Sequence, residues 1–565
     1  MRKHTFLFGA ILLLAGGIFA KILGALYKIP LTHILGSNGM GLYYLIFPIY
    51  SIVLVVSSGG LSVALTQFIA KENALKNKIN QKRILVVALV FSFIVSLVFS
   101  LLILFFADWI ALKQGNINAN WGYIAIAPAI LCSSIISILK AYYQGKQNMI
   151  PSTISVIFEQ VFKLLFGLLL SKKFLNNGLQ FGVLGAVLGV SVSEGLTLIC
   201  VIITYFISER KNGKFRVDKR FHKAQLDLKL KNGGNILKKT NVKFNLQKTK
   251  NVLSYSSIIK RLFKSSFFTT LSNLVIPLAS FIDSFLIINI LIKSGFTSTA
   301  STSLYGLSNG IVASLMSLPT MVIASLSTVI IPNLSHVVVV EEKVVFERKC
   351  SFFIKFNWII SILMFIFYTL FAKEIITILF SDGLNNSTIN EFDFAYKLVL
   401  VSSVSIIYYG FLQTFMAILN AINKFFIPTI ALFLSICVRT VIMVSLTKVY
   451  SINVFGSVIA NIVFLAIACI ICLIFLRKYV TIEFGLLRGG VYPILCGIIC
   501  FSAIYCLKLV LKIYLNVWIY SIMCGLMCLF IYFVGIKKLC VFNKFERDYL
   551  NIKFKKISFL TKRIG

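Results

Sequence analysis

The chain has 565 residues, of which 58% are hydrophobic and only 13% are charged, and its formal net charge is +38. Soluble domains carry about 25% charged residues, so this chain lacks the polar side chains that a water-soluble surface of its size would need. The composition therefore excludes a soluble globular protein and predicts a multi-pass membrane protein. The cysteines lie mostly in apolar runs, and neither they nor the four histidines have metal-ligand spacing, which predicts no metal site.

Apolar runs long enough to cross a bilayer as helices, at about 20 residues each, recur along the whole chain. The first run has a basic start, like a signal peptide, but it continues past any cleavage position, so we interpret it as a retained span. The sequence thus predicts an all-α polytopic membrane protein with about fourteen spans. Their approximate limits are 6–28, 42–69, 84–106, 121–142, 150–171, 181–207, 265–292, 303–334, 352–372, 396–419, 426–447, 453–476, 489–510 and 514–535.

The loops indicate the orientation of the spans. Segments that follow even-numbered spans, such as 71–83 and 477–488, are basic, whereas 381–393 is acidic. The positive-inside rule therefore predicts that both termini are cytoplasmic in a bacterial plasma membrane. The segment 208–264 is the longest basic loop, and we expect it to contact anionic inner-leaflet lipids. It contains no recognised nucleic-acid-reading module, so no nucleic-acid partner is predicted.

Two pairs of segments indicate an internal duplication. In residues 139–163 and 416–440 a helix end is followed by a polar turn, an Ile-Pro pair and a new apolar helix, so that Pro151 matches Pro428. Residues 61–71 and 326–336 form the second pair. Six spans precede the basic loop, so the second copy keeps the orientation of the first, which predicts two six-helix lobes related by a parallel pseudo-two-fold axis. The predicted organisation is a lobe at 1–207, a linker at 208–264, a lobe at 265–476, two extra helices at 477–535 and a basic tail at 536–565.

Ionisable residues inside the predicted spans are the candidate functional residues. Each would cost at least about 2.5–3.5 kcal/mol if it faced lipid at the middle of a helix, so we expect these residues to line a polar interior or to form pairs. Glu159 and Lys163 are four residues apart and could form a structural ion pair on one helix face, or one of them could meet a substrate or coupling ion. Asp283 could pair with a cation of either lobe or bind a proton or sodium ion. The six residues are Lys21, Glu159, Lys163, Glu194, Asp283 and Arg439.

Motifs of the common enzyme classes are not found in the sequence. It has no GxSxG nucleophile elbow, no GxxxxGK[ST] phosphate loop and no HExxH zinc motif. We therefore predict that the protein is not an enzyme and that its buried charges serve binding or transport.

The segment "KILGALYKIPLTHILGSNGMGLYYLIFPIY" at 21–50, with "SSGGLSVALTQFIAKE" at 57–72, resembles the opening of stage V sporulation protein B-like polysaccharide transporters. The resemblance continues through "AYYQGKQNMIP" at 141–151 and "LPTMVIASLSTVIIPNLS" at 318–335. These proteins belong to the multidrug/oligosaccharidyl-lipid/polysaccharide (MOP) exporter superfamily, which includes lipid II flippases and MATE drug exporters. The resemblance implies a V-shaped pair of lobes that alternates access to the two sides of the membrane.

The resemblance also implies a cargo and a site for it. Lys21 in "KILG" at 21–24 is similar to the cation that lipid II flippases carry in their first helix. Lipid II flippases carry a second cation in their first helix, and the matching position here is Tyr27, which Lys28 follows. They also carry a cation in their eighth helix, and this chain has none at the matching residues, 307–309. Lys163 and Arg439 are the candidate replacements. Cations in a low-dielectric cavity suit the phosphate oxygens of a lipid-linked pyrophosphate.

Three classes of function follow from these observations. The first is a flippase for an undecaprenyl-pyrophosphate-linked glycan, such as lipid II or a related cell-wall or spore polysaccharide. Lys21, Lys28, Lys163 and Arg439 would bind the cargo, and the acids Asp283, Glu159 and Glu194 would couple or release it, with Na⁺ or H⁺ as coupling ions. The alternative is a cation-coupled MATE-type multidrug antiporter. The third is a membrane scaffold for the machinery of wall or spore cortex synthesis, which would not need six buried charges.

Overall fold

The computed structural model describes residues 2–214 and 253–547, apart from short gaps at 76, 341–342, 385–389, 423, 482–484, 540 and 544–545. All regular structure in this part of the chain is helical. The helices of the first half, here called the N-lobe, are α1 (Arg2–Leu54), α2 (Gly60–Ala74), α3 (Lys78–Lys113), α4 (Asn120–Gly145), α5 (Ile150–Leu175) and α6 (Leu179–Lys214). A wider π-helical turn, Val55–Gly59, joins α1 to α2.

The second half, here called the C-lobe, is followed by two extra helices. The C-lobe helices are α7 (Tyr255–Lys293), α8 (Ser298–Tyr305), α9 (Ala313–Val340), α10 (Lys343–Phe380), α11 (Glu391–Ala421), α12 (Phe426–Thr447) and α13 (Phe455–Arg477). The extra helices are α14 (Tyr492–Tyr514) and α15 (Val517–Lys538). A second π-helical turn, Gly306–Val312, joins α8 to α9.

Helix α1 is two spans joined at Gly36, which has φ 65° and ψ −176°. The ammonium of Lys28, eight residues before this break, lies 5.2 Å from the ring centre of Tyr44, eight residues after it. A straight helix would separate two residues sixteen positions apart by about 24 Å, at about 1.5 Å per residue. The chain therefore reverses at Gly36. The apolar segment Ala15–Asn73 is accordingly two crossings, and together with the twelve other apolar helices it gives the fourteen predicted spans.

The packing of the helices repeats after six spans. In the N-lobe α5 packs on α6, α4 on α6 and α3 on α4, while in the C-lobe α12 packs on α13, α11 on α13 and α10 on α11. The first span packs on α5, and α7 packs on α12 in the same way. Pro151 lies in the first turn of α5 and Pro428 in that of α12, where the missing N–H of proline costs no hydrogen bond. The predicted fold of two similar six-helix lobes with two extra helices is confirmed.

The boundaries of the basic segment differ from the prediction. Helix α6 continues to Lys214, and α7 begins at Tyr255, inside the segment predicted as a linker at 208–264. The returning chain docks on α3, because Arg83 donates a hydrogen bond of 2.9 Å to the carbonyl of Leu253 and its guanidinium lies 5.0 Å from the ring centre of Tyr255. The predicted lipid contact of this segment falls mainly on 215–252, outside the described residues.

Hydrogen bonds join the two lobes at the end of the bundle formed by 114–119, 294–300, 381–384 and 390–391, here called the loop end. Ser37 donates to Glu391 at 2.5 Å, Asn116 to Thr302 at 2.9 Å, and Gln114 to Ser284 at 3.1 Å. The opposite end, which carries the basic loops, is here called the basic end. There α2 packs on α7, whereas α5 packs on α1, α4 and α6 of its own lobe. The two lobes therefore contact each other at both ends, through hydrogen bonds at the loop end and through packing of α2 on α7 at the basic end.

The extra helices are attached to the C-lobe through α10. Lys508 of α14 donates to Glu374 of α10 at 2.8 Å, and Tyr520 of α15 donates to the same carboxylate at 3.2 Å. Nearer the basic end, the buried Lys355 binds both carboxylate oxygens of Glu546 at 2.8 and 3.0 Å. Ion pairs therefore tie α14 and the segment after α15 to α10, and a hydrogen bond ties α15 to the same helix.

Replacing Gly36 with alanine tests the hairpin at the end of the first span. The backbone at Gly36 is in a region that only glycine adopts readily, and strain of this kind costs on the order of 1–3 kcal/mol. We expect Gly36→Ala to lower the apparent melting temperature in detergent. Gly195→Ala is the control, because a Cβ at Gly195 would meet nothing within 4 Å. Equal melting temperatures for the two variants would contradict a strained turn at Gly36.

Candidate functional site

A cavity of about 510 Å³ lies between the lobes and is lined on one side by three lysines. Lys21 and Lys28 come from the first span and Lys163 comes from α5, while Ser317 and Thr320 of α9 form the opposite wall. None of the three lysines forms an ion pair with a carboxylate within the described part of the chain. This region, here called the lysine cavity, therefore concentrates three ammonium groups that have no direct ion-pair partner there.

Close helix packing in the N-lobe positions these lysines. A Cβ at Gly24, three residues after Lys21, would lie 3.0 Å from the side-chain oxygen of Gln160, which also lines the cavity. A Cβ at Gly167 would lie only 2.5 Å from the hydroxyl of Tyr27, so the first span and α5 approach each other closely there as well. Small residues of this kind allow helices to approach within a membrane. The lysines of the two helices consequently face one cavity.

Aromatic rings take the place of acids around two of the lysines. The ammonium of Lys163 lies 5.2 Å from the ring centre of Phe47 and 5.7 Å from that of Tyr27, and Lys28 lies over Tyr44. A cation over a ring gains about 0.5–2 kcal/mol, much less than a buried charge gains from a carboxylate. The rings therefore hold the ammonium groups in place and leave their charge available to an anion.

A second cavity of about 410 Å³, here called the C-lobe cavity, adjoins the lysine cavity. Ser317, Thr320 and Tyr409 line both cavities. The C-lobe cavity contains the buried pair Arg439–Asp283, in which the guanidinium donates to both carboxylate oxygens at 2.8 and 2.6 Å. Arg439 is thus neutralised by Asp283, one of the pairings that the sequence left open for that acid.

The two lobes use equivalent positions differently. Lys163 lies twelve residues after Pro151, and Arg439 lies eleven residues after Pro428. In the N-lobe the cation of α5 meets Tyr27 of the first span, whereas in the C-lobe the cation of α12 meets Asp283 of α7, the corresponding helix. The duplication therefore gives one lobe a positive wall and the other lobe a neutral wall.

Glu159 and Lys163 do not form the ion pair that was one of the two alternatives for them. Glu159 instead pairs with Lys140 of α4 at 3.3 Å, and both side chains are partly buried. The chain turns between α4 and α5, just before Pro151, and this turn brings Lys140 and Glu159 together although they are nineteen positions apart. Lys163, four residues further along α5, points its ammonium to the rings of Tyr27 and Phe47. Because Glu159 pairs with Lys140, it is not the ion-pair partner of Lys163, although both residues are on α5.

Glu194 is buried within the N-lobe and does not line the lysine cavity. The Tyr50 hydroxyl donates a hydrogen bond of 3.4 Å to it and also contacts Ser133 at 2.7 Å. Glu159, Lys140 and Lys163 act on it electrostatically, but no ion pair to it is formed in the described residues. Of the three predicted coupling acids, Glu194 is the one without an ion-pair partner.

Sequence reasoning did not identify several residues of this region. Lys140 lies in the fourth predicted span but has no charged residue at helical spacing to mark it. Gln160 and Tyr409 are cavity residues of types that occur throughout membrane spans, so composition does not distinguish them. Lys28 and Tyr44 are each eight residues from Gly36 in the sequence. A predicted reversal of the chain at Gly36 would therefore have placed them together.

Comparison with known proteins identifies the family. A family model described as "Polysaccharide biosynthesis protein" matches residues 6–338, more than half of the chain. The chain belongs to this family. Stage V sporulation protein B of Bacillus subtilis (strain 168) is 28% identical over 337 residues, a match that covers 60% of this chain and 59% of that relative. This member of the polysaccharide biosynthesis family is therefore similar to that relative over somewhat more than half of the relative's length.

Solved structures share the fold of this family member. "Lipid II flippase MurJ, inward closed conformation" aligns with a TM-score of 0.65 and 15% identity, covering 96% of this chain and 100% of that one. An inward-facing multidrug resistance MATE family transporter of the MOP superfamily aligns with a TM-score of 0.60 and 15% identity, covering 81% and 94%. The protein is thus a multi-pass membrane protein with the MOP fold, similar to stage V sporulation protein B, as the sequence resemblance indicated.

The Arg439–Asp283 pair can be tested through stability. Asp283→Asn would leave the guanidinium buried without a counter-charge, and breaking a buried pair from one side costs about 3–5 kcal/mol. We expect a clear fall in the apparent melting temperature in detergent. The double variant Asp283→Leu/Arg439→Met should recover most of the loss, because it leaves no unpaired charge. A double variant as unstable as Asp283→Asn would contradict this account.

Proposed function

We propose that this protein moves a lipid-linked glycan across the membrane and that the lysine cavity binds the pyrophosphate between lipid and sugar. The observation that carries the proposal is that Lys21, Lys28 and Lys163 line one cavity between the lobes and that none of them forms an ion pair with a carboxylate of the described residues. A pyrophosphate offers several anionic oxygens within a small volume, which suits a cluster of ammonium donors. The similarity to proteins named as polysaccharide biosynthesis protein and lipid II flippase supports this choice of cargo.

The electrostatics of the cavity favour an anionic cargo. Three like charges in a low-dielectric site repel one another, and an anion placed among them relieves that repulsion and gains attraction. Arg439 contributes little net charge to such binding, since Asp283 accepts from both of its amino groups. In this proposal the N-lobe binds the charge of the cargo, and a movement of the two lobes relative to each other carries the cargo to the other side.

A cation-coupled drug antiporter is the second candidate, supported by the structural similarity to a MATE transporter. Cationic cargo requires acids that are free to receive it. Among the predicted coupling acids, Asp283 and Glu159 are paired with Arg439 and Lys140, and Glu194 is buried and lines neither cavity. We therefore favour the flippase and propose that coupling to a proton or sodium ion, where it occurs, involves Glu194.

We further propose that the basic end is cytoplasmic, as the distribution of basic loops predicts. Single cysteines introduced at Lys78 and Asn118 test this in a background where all twelve native cysteines are replaced by alanine or serine. A membrane-impermeant maleimide should label Asn118→Cys on intact cells, and Lys78→Cys only after permeabilisation. The reverse pattern would invert the proposed orientation.

Flipping of a fluorescent polyprenyl-pyrophosphate-linked disaccharide in proteoliposomes tests the cargo. A charge-assisted hydrogen bond contributes about 1.5–3 kcal/mol, so removing one should slow the initial rate about tenfold or more. We expect this from Lys21→Ala, Lys28→Ala and Lys163→Ala, with partial recovery in the corresponding arginine variants.

Lys373→Ala is the matched control for these variants. Lys373 is an exposed lysine whose ammonium lies 6.0 and 5.8 Å from the ring centres of Phe392 and Tyr396, outside the lysine cavity. Its loss should leave the flipping rate unchanged. A well-folded wild type that flips no faster than protein-free liposomes would reject this cargo and favour the antiporter.

A further inference from the structure

The C-lobe cavity has a chemical character that the pyrophosphate does not explain. Among the described residues that line it, Asp283 and Arg439 are the only charged ones and neutralise each other, and the other polar lining groups are hydroxyls and carboxamides. These polar groups include Ser280, Asn309, Ser402, Ser405, Gln413 and Asn461.

Several of these groups have no partner in the protein. Within the described part of the chain, the side chains of Ser280, Ser402, Ser405 and Asn461 form no hydrogen bond. The side-chain nitrogen of Asn309, in the π-helical turn between α8 and α9, is buried and also has no partner. Serines in membrane helices usually bond to their own backbone, as Ser435 of α12 does with the carbonyl of Ala431 at 2.7 Å. The open hydroxyls in the cavity are therefore donors and acceptors available to a ligand.

We infer that the C-lobe cavity binds the first sugars of the lipid-linked glycan, and that these sugars are uncharged. The inference rests on the proposed function, because the pyrophosphate in the lysine cavity would place the attached sugar next to the shared wall of Ser317, Thr320 and Tyr409. Hydroxyl and carboxamide groups match the hydroxyl and acetamido groups of neutral sugars. Its volume of about 410 Å³ is in the range of small-molecule sites. A sugar carboxylate would find no free cation there, since Arg439 is engaged by Asp283.

Binding to three probes tests this in the full-length protein in detergent. The probes are polyprenyl pyrophosphate, the same lipid carrying a neutral disaccharide, and the same lipid carrying a disaccharide with a uronic acid. We expect the wild type to bind the neutral disaccharide form most tightly. Each of Ser405→Ala and Asn461→Leu should weaken that form by about 2–10-fold, as for the loss of one hydrogen bond, and leave polyprenyl pyrophosphate unchanged.

The controls separate this inference from the proposed function. Ser435→Ala removes a buried serine of the same lobe that lies outside the cavity, and it should change none of the three affinities. Lys21→Ala should weaken all three probes. If the wild type binds the bare and the disaccharide lipids equally, or if the uronic acid form binds as tightly as the neutral form, the inference is overturned while the pyrophosphate site stands. If no probe binds the folded wild type, both proposals fail.

Discussion

The structure depends on the cost of placing a charge in a low-dielectric interior. A lone ammonium, guanidinium or carboxylate there is unfavourable by several kcal/mol, so each one must pair, contact a ring or face a water-filled cavity. The chain uses all three solutions. Arg439 pairs with Asp283, Lys163 lies against Phe47 and Tyr27, and Lys21 is exposed in the space between the lobes. The C-lobe pairs its cation with an acid, whereas the N-lobe does not. The space between the two lobes therefore has a positive side and a neutral side.

The same duplication that builds the fold also makes this asymmetry possible. Equivalent helices meet in both lobes, so a single change of residue at one contact alters the charge of one wall without altering the packing. A tyrosine at position 27 fills space against α5, whereas an aspartate at 283 compensates Arg439. A site that spans both lobes can then bind a ligand whose two ends differ in charge, and binding at both ends would favour an arrangement in which the lobes are close.

The sequence predicted the spans well and the contacts poorly, for physical reasons. Spans are visible because the bilayer requires about 20 apolar residues in a row. The first turns of α7 were missed because Lys260, Arg261 and Lys264 make an amphipathic helix end resemble a loop. Partners such as Lys140 with Glu159, or Arg439 with Asp283, lie on different helices, and no spacing within one helix predicts them. The positions of Lys21 and Lys163 inside spans could be predicted, but the convergence of these two lysines and Lys28 on one cavity needed the reversal at Gly36 and the close approach at Gly24.

The ion pair between Lys355 and Glu546 has a consequence for altering the end of the chain. Lys355 is only 2% exposed, and Glu546 is its carboxylate partner, supported by the backbone N–H of Asn543 at 2.7 Å. A deletion that begins before Glu546 would leave an ammonium stranded in the C-lobe, although it removes no membrane span. Shortened forms of this protein should therefore keep the chain through Arg547, and affinity tags or reporter fusions belong beyond that residue.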